Sequence, residues 1–331
     1  MENKEFKALV VEEKEDKYIR NVKTKRINEL PQGDLLIKVH YSSLNYKDAL
    51  SAVGNKGVTR NYPHTPGIDA VGIVEETNNT KFNIGDKVIV TSYDLGMNTS
   101  GGFGQYIRVP SEWVVKLPEG LSTKEAMIFG TAGLTAALLV LRLSEKVNPE
   151  NGKIAVSGAT GGVGSLSVAI LTKLGYDVVA ITGKEQEKEY LTKLGAQEIV
   201  LRNEIDSKES RPLLSGKYAG AIDTVGGPIL EYIIKSTNHL GVVACCGNAA
   251  SPELNLTVFP FILRGISLIG IGSQEHPMKE RKLVWERLAN SWKPSQLNEI
   301  YNEISLNELS EKIDQILKGQ IRGRTLINLH T

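Results

Sequence analysis

The chain has 331 residues, more than one core usually holds, so two domains are expected. Hydrophobic residues make up 41% and charged residues 23%, as in an ordinary globular protein. Lys and Arg (39) nearly balance Asp and Glu (38), so no broad basic field points to nucleic acid or an anionic membrane.

The start is charged, and no stretch is expected to reach the roughly 18 apolar residues of a membrane span. The only two cysteines, Cys245 and Cys246, are adjacent and cannot staple a fold. A reducing compartment, the cytoplasm, is the expected location.

The first third reads as β-rich. Short apolar runs at Lys7–Val11, Leu35–His40, Ala70–Glu75, Lys87–Thr91, Gln105–Val109 and Val114–Leu117 are separated by turn residues. Asn83–Asp86 predicts a tight turn, and Ser100–Gly104 a loop. Such closely spaced strands favour a barrel or sandwich.

Thr123–Leu143 is Ala/Leu-rich and predicts one or two helices broken by Gly130 and Gly133. Strands and helices then alternate. Solid apolar runs at Lys153–Ser157, Val178–Thr182, Glu198–Leu201, Gly220–Asp223, Val242–Cys246 and Ile266–Ile271 read as buried parallel strands. Helical patterns at Val163–Leu174, Gln186–Leu194 and Pro228–Thr237 lie between them. After Gly272 the alternation stops. Helices are expected at Lys279–Ser291 and Leu306–Lys318, the latter opened by a capping box of Ser305 and Glu308 and stopped by Gly319. A last strand is expected at Arg324–Leu329.

The strongest motif is Ser157-Gly158-Ala159-Thr160-Gly161-Gly162-Val163-Gly164, between a strand and a helix. Glycines allow a tight turn and close backbone approach, while helix-start amides face an anion. The spacing is not a strict G-x-G-x-x-G, so the βα context carries the reading of a dinucleotide site. An NAD enzyme would place an acid at the end of the second strand. Here Thr182-Gly183-Lys184 stands there, and Arg202 ends the third strand. A hydroxyl and two cations suit a 2′-phosphate and favour NADPH. The plainer alternative makes Lys184 a solvated helix-start residue.

With these motifs placed, the whole chain resembles the medium-chain dehydrogenase/reductase superfamily, and within it the zinc-free acrylyl-CoA reductase/YhdH-type quinone oxidoreductases. The resemblance rests on Asn45-Tyr46-Lys47-Asp48, Pro66-Gly67-Ile68-Asp69, Gly130-Thr131-Ala132-Gly133-Leu134-Thr135-Ala136, the glycine loop, and Pro260-Phe261-Ile262-Leu263-Arg264-Gly265. It implies an α/β fold: a GroES-like β-rich catalytic domain over 1–123 and 273–331, and an inserted Rossmann doubly wound parallel sheet domain over 124–272.

Zinc enzymes of this superfamily carry Cys where Asn45 stands and a His-Glu pair where this chain has Ile68-Asp69. Neither Asn nor Ile is a usual zinc ligand, and the four-cysteine lobe has no counterpart. No metal is expected. A metal-free site suits conjugate reduction, in which negative charge develops on a carbonyl oxygen and needs fixed donors. The resemblance makes Tyr46 and Asn45 the catalytic candidates. For Tyr46 two roles stay open, proton donor or hydrogen-bonding and stacking partner of the cofactor. Asp48 is expected to orient the loop.

Carried over by resemblance, the NADPH site comprises Tyr46, Thr160, Gly161, Gly162, Val163, Thr182, Gly183, Lys184, Arg202, Asn248, Ile262 and Ser273. Ile262 has core packing as its alternative. Relatives often have Asp-Ser where Gly272-Ser273 stands here. Arg264 reads either as a phosphate contact or as a surface cap, and Arg322 and Arg324 as surface cations. Leu50–Tyr62 and Asp94–Gly101 are the expected specificity loops.

The strand Ile266–Ile271 is expected to pair with its twofold mate in a homodimer, since an uncovered edge is an aggregation liability. The leading functional expectation is an NADPH-dependent reductase of activated alkenes, such as the short enoyl-thioester acrylyl-CoA. A quinone reductase is the second, and a non-catalytic NADPH-binding protein is a third from another class.

Overall fold

The computed structural model describes residues 4–15, 17–205 and 210–330, so residues 1–3 and 331 of the expected first domain lie outside the described residues. The chain divides into two compact units. Unit 1 comprises Met1–Thr131, Gln274–Ala289 and Tyr301–Thr331, and unit 2 comprises Ala132–Ser273 and Asn290–Ile300. The expected limits were 123/124 and 272/273, with no second excursion at 290–300.

Unit 1 begins with a hairpin of β1 (Glu5–Lys14) and β2 (Lys17–Arg26). There follow β3 (Leu35–Ser43), the short α1 (Tyr46–Ala52), β4 (Asp69–Thr77), β5 (Lys87–Thr91), β6 (Tyr106–Val109) and β7 (Val114–Lys116). Helix α2 spans Thr123–Ser144 but is interrupted at Gly130, whose φ of 51° and ψ of −153° are not helical. Gly133, the other expected break, stays within the helix. By length and composition α2 is apolar enough to cross a membrane, which differs from the expectation, yet 89% of its apolar window is buried inside the fold.

In unit 2 come β8 (Ile154–Ser157), α3 (Gly162–Lys173), β9 (Val178–Thr182), α4 (Lys188–Lys193), β10 (Glu198–Leu201), β11 (Tyr218–Asp223), α5 (Gly227–Lys235), β12 (Thr237–Cys245), α6 (Phe259–Arg264) and β13 (Ser267–Gly270). The remainder holds α7 (Met278–Ala289), α8 (Leu297–Ile300), β14 (Tyr301–Ser305), α9 (Leu309–Leu317) and β15 (Arg324–Asn328).

The main sheet of unit 1 runs β14-β15-β3-β4-β5-β7, with β6 also paired to β3. It is antiparallel except for β14 against β15. Its core gathers inward-facing Leu35, Ile37, Val74, Val88 and Phe103 with Leu309 and Ile313 of α9. The expected capping box sits just ahead of α9: the Ser305 N–H and hydroxyl both donate to the Glu308 carboxylate, at 2.8 and 2.7 Å. Gly319 then ends the segment with φ 67°.

The sheet of unit 2 has six strands in the order β10-β9-β8-β11-β12-β13, every pair parallel. Counted from β8, this is the 3-2-1-4-5-6 order of a doubly wound dinucleotide-binding sheet. β8 and β9 are buried throughout, which is why they read as unbroken apolar runs. The strand order reverses between β8 and β11, and there the carboxyl ends of strands leave a crevice.

Candidate functional site

In unit 2 the glycine loop leaves the end of β8 at this switch point. Gly161 caps α3 with extended backbone and no side-chain cap, so the first-turn amides of a twelve-residue helix head the loop. Gly164 must be glycine because a Cβ there would lie 2.2 Å from the Gly158 carbonyl oxygen. Thr160 is buried; Gly161, Gly162 and Val163 are half-buried. Residues present and missing side chains together fit a pyrophosphate against backbone.

The crevice is braced by Asp223 at the end of β11. The Ser157 hydroxyl donates to its carboxylate at 2.6 Å, and the Val225 and Gly226 amides donate at 3.2 and 2.8 Å. Burial pushes the Asp223 carboxyl above its ordinary value against these hydrogen bonds. Sequence reasoning missed this residue, because an acid closing an apolar run reads as a strand end.

Parallel register sets the expected 2′ site at the same sheet edge. Leu201 of β10 lies opposite Thr182 of β9, so Arg202 and Gly183 follow side by side. A Cβ on Gly183 would sit 2.9 Å from Nη2 of Arg202. The Lys184 amide donates to the Thr182 hydroxyl at 3.1 Å, and burial lowers the pKa of the Lys184 ammonium. Asn248 follows β12 and is exposed. Ser273 is half-buried and accepts from the Thr135 hydroxyl at 2.8 Å. Ile262 is 67% exposed, which corrects the core-packing alternative. Arg264 donates to the backbone carbonyls of Lys235, Thr237 and Leu214, so its guanidinium serves the fold rather than a phosphate.

In unit 1, Asn45 and Tyr46 open α1. Tyr46 is 56% exposed at the first helical position. Asn45 is committed within the protein. Its amide nitrogen donates to Asp69 Oδ2 at 2.8 Å, with Asp48 Oδ2 and the Ser43 carbonyl at 3.2 Å, and its oxygen accepts from Arg324 at 3.1 Å. The amide expected to offer donors to a substrate is therefore spent on neighbours. Asp48 fits the orienting role: its carboxylate accepts the Asn45 and Ile68 amides, both at 2.8 Å. Burial, with the charge of Asp69 beside it, outweighs those bonds and raises the Asp48 carboxyl to about 7. The adjacent Lys47 ammonium donates to the Gln274 side chain at 2.5 Å and is pushed down by burial.

Beneath them lies an ion pair that the sequence did not reveal. Asp69 is fully buried and accepts the Ser43 hydroxyl at 2.7 Å, the Thr131 hydroxyl at 2.6 Å and the Thr131 amide at 2.9 Å. Arg324 is only 3% exposed, correcting its expected surface position. It lies 3.5 Å from Asp69 and donates to the Ile128 and Leu44 carbonyls and the Ser43 hydroxyl. Arg322 is exposed, as expected of a surface cation. Gly130 makes room for the cluster, since a Cβ there would meet Asp69 Oδ2 at 2.4 Å. Among the described residues, no three His, Cys, Asp or Glu side chains gather in a way that could hold a metal.

A switch-point glycine loop on a 3-2-1-4-5-6 sheet, in a chain that also carries a β-rich unit, defines a nucleotide-dependent dehydrogenase scaffold. Two family models agree: the alcohol dehydrogenase GroES-like domain matches residues 31–119, and the zinc-binding dehydrogenase domain matches 162–290. The acrylyl-CoA reductase AcuI of Ruegeria pomeroyi is 41% identical, covering 98% of this chain and 99% of its own. The yhdH oxidoreductase of Salmonella enterica, solved in complex with NADP, superposes with a TM-score of 0.94 at 42% identity, covering 97% of this chain and 99% of its own. Bacillus subtilis yhfP, solved with NAD bound, gives 0.96 at 44% identity, covering 99% and 100%. The chain belongs to the medium-chain dehydrogenase/reductase superfamily, in its acrylyl-CoA reductase and YhfP/YhdH quinone oxidoreductase branch.

Proposed function

We propose that the chain is an NADPH-dependent, metal-independent reductase of activated alkenes, with a short enoyl-thioester such as acrylyl-CoA as substrate. The carrying observation is the end of β9, where Thr182, Gly183, Lys184 and Arg202 form a cationic corner with no carboxylate on the strand end. The likeness to an acrylyl-CoA reductase over nearly the whole chain supports the substrate class. On this reading unit 2, expected at 124–272, holds the nucleotide through Thr160 to Val163, Thr182 to Lys184, Arg202, Asn248, Ile262 and Ser273. Unit 1 carries the substrate site.

When bound, NADPH supplies a hydride for the β-carbon of the alkene. Lys184 and Arg202 would neutralise the 2′-phosphate, while the loop amides and the start of α3 would hold the pyrophosphate. The exposed Tyr46 phenol would be available to donate to the substrate carbonyl oxygen as negative charge develops there. Asn45 is a positioning residue: bonded to Asp69, Asp48 and Arg324, it fixes the helix start that presents Tyr46. At the superfamily's zinc positions, Asn45 and the apolar Ile68 are unsuited to ligate zinc, which supports a metal-independent reaction.

We also propose a cytoplasmic homodimer. Among the described residues β13 pairs only with β12, and α6 just before it exposes Ile262 and Leu263. The two free, adjacent cysteines suit a reducing compartment. Sedimentation at micromolar protein is expected to give twice the chain mass; a monomer would overturn the dimer.

The test of function is NADPH oxidation, followed by absorbance, with acrylyl-CoA, crotonyl-CoA and a simple quinone, and NADH as control. Acrylyl-CoA is expected to give the highest kcat/KM. Turnover of the quinone alone would replace the proposal with a quinone reductase. Tight NADPH binding without turnover would replace it with a non-catalytic binding protein.

A further inference from the structure

Two consecutive residues just past β5 hold a backbone conformation that residues with side chains rarely adopt. Ser92 has a φ of 62° and Tyr93 a φ of 52°. For a residue as bulky as tyrosine this is a true outlier, and such outliers persist only where their surroundings over-determine them.

Those surroundings centre on Arg281, a 1% exposed arginine in the first turn of α7. Its guanidinium donates to three backbone carbonyls, those of Thr91 at 3.0 Å, Gln274 at 2.7 Å and His276 at 2.9 Å, and to the Thr91 hydroxyl at 3.1 Å. The same group lies 4.2 Å from the centre of the Tyr93 ring, which also stacks on Trp113 with the centroids 5.7 Å apart and the planes within 5°. The Ser92 amide donates to the Ile68 carbonyl at 2.7 Å, and the Tyr93 amide to the Gln274 carbonyl at 3.1 Å.

Two chains of contacts run from this dipeptide to the start of α1. In the first, Thr131 gives its hydroxyl proton to Asp69, so the Ser92 hydroxyl donates to Thr131, at 2.9 Å. Asp69 in turn accepts the side-chain amide of Asn45. In the second, Gln274 holds Arg281 and Tyr93 on its backbone carbonyl and accepts the Lys47 ammonium on its side-chain oxygen. The two chains end on the residues that flank Tyr46. Every residue in them belongs to unit 1.

We propose that Arg281 is a positioning residue for the reaction: by locking Ser92 and Tyr93 it fixes Asn45 and Lys47, and with them the orientation of Tyr46. This rests on the reading that Tyr46 donates to the substrate carbonyl oxygen. Lysine at 281 would keep the charge but not the planar fork that reaches three carbonyls at once.

The test is a double-mutant cycle read as the single-turnover rate of NADPH oxidation by acrylyl-CoA in a stopped flow, or by the quinone should only that be turned over. This rate constant belongs to the folded, loaded fraction, so general instability lowers the amplitude and leaves the rate alone. Arg281→Lys is expected to slow the step roughly tenfold or more, since a misplacement of about 1 Å can cost on the order of a hundredfold. In the Tyr46→Phe background the same substitution should slow it less than about threefold, because its effect passes through the phenol. An unchanged rate in Arg281→Lys, or equal factors in the two backgrounds, overturns the proposal. Tyr46→Phe turning over at the wild-type rate would instead remove the reading of Tyr46, and the proposal with it. Should Arg281→Lys fail to fold, Gln274→Leu takes its place, severing the Lys47 bond while leaving the backbone carbonyl to Arg281 and Tyr93. It should slow the wild type roughly threefold or more and the Tyr46→Phe variant less; equal slowing overturns the proposal.

Discussion

Replacing Asp69 by Asn would leave Arg324 buried without its anion. The two side chains are 0% and 3% exposed and 3.5 Å apart, so water cannot take over the lost charge. Breaking a buried pair from one side costs about 3–5 kcal/mol. An Asn amide would also point N–H groups at donors, because Asp69 accepts from Ser43, Asn45 and Thr131 with both oxygens. Stranding one such donor adds about 1–3 kcal/mol, so a loss of roughly 4–8 kcal/mol is expected. Arg324→Met should cost a comparable amount, whereas the double variant should cost about 2–4 kcal/mol less than the sum. Urea unfolding followed by far-ultraviolet circular dichroism and tryptophan fluorescence measures all four proteins, with attention to separate transitions of the two units. A loss below about 1 kcal/mol for Asp69→Asn, or strict additivity in the double variant, would refute the ion-pair account.

Asp48 gives a pH signature. Its carboxyl is raised to about 7 in the fold, against about 3.9 in an unfolded chain, so the native state keeps a proton that the unfolded state has released. This contribution to stability is fully present below about pH 4. It is lost as pH climbs to about 7, at up to roughly 1.4 kcal/mol per pH unit. Asp48→Asn should remove that slope from a stability–pH series; an unchanged slope would show that another group titrates. Gly164→Ala would place a Cβ 2.2 Å from the Gly158 carbonyl, and is expected to weaken NADPH binding at least tenfold by fluorescence titration, about 1.4 kcal/mol or more. Wild-type affinity in that variant would remove the loop from the binding site. The double variant Lys184→Ala/Arg202→Ala should raise the KM for NADPH roughly 10- to 100-fold and that for NADH less than about threefold, from the loss of charge-assisted bonds. An equal rise for both cofactors would mean that neither side chain meets the 2′-phosphate.

The parallel sheet was the most legible part of the chain. β9 is read at its observed limits because a strand covered on both faces becomes an unbroken apolar run between turn signals, and the half-exposed edge strand β10 is read at its limits from the apolar run Ile199–Leu201. The hairpin strand β2 is absent from the sequence reading, since Lys17–Arg26 carries five cations, has no buried position, and its pairing with β1 is tertiary information. Helix α1 is likewise missing from it: seven residues give too short a periodicity, and its capping Asn45–Asp48 contact shows only in space. The nucleotide corner is readable because its residues follow strand ends in order. The Asp69–Arg324 pair is not, because pairing of β3 with both β4 and β15 brings distant segments together. An Arg between Gly323 and a strand reads as a surface cation unless that pairing is known.

The position of the cationic corner bears on how such an enzyme changes over evolutionary time. Gly183 and Arg202 sit at exposed strand ends, outside the packed interior of the sheet that carries them. Substitutions away from buried features usually move stability by no more than about 0.5 kcal/mol. If this corner meets the 2′-phosphate as proposed, the choice between a phosphorylated and an unphosphorylated ribose can drift by a few surface replacements while β8 to β13 keep their register. On the proposed reading, that rim is where relatives of one architecture, solved with NADP in one case and with NAD in another, would be compared first.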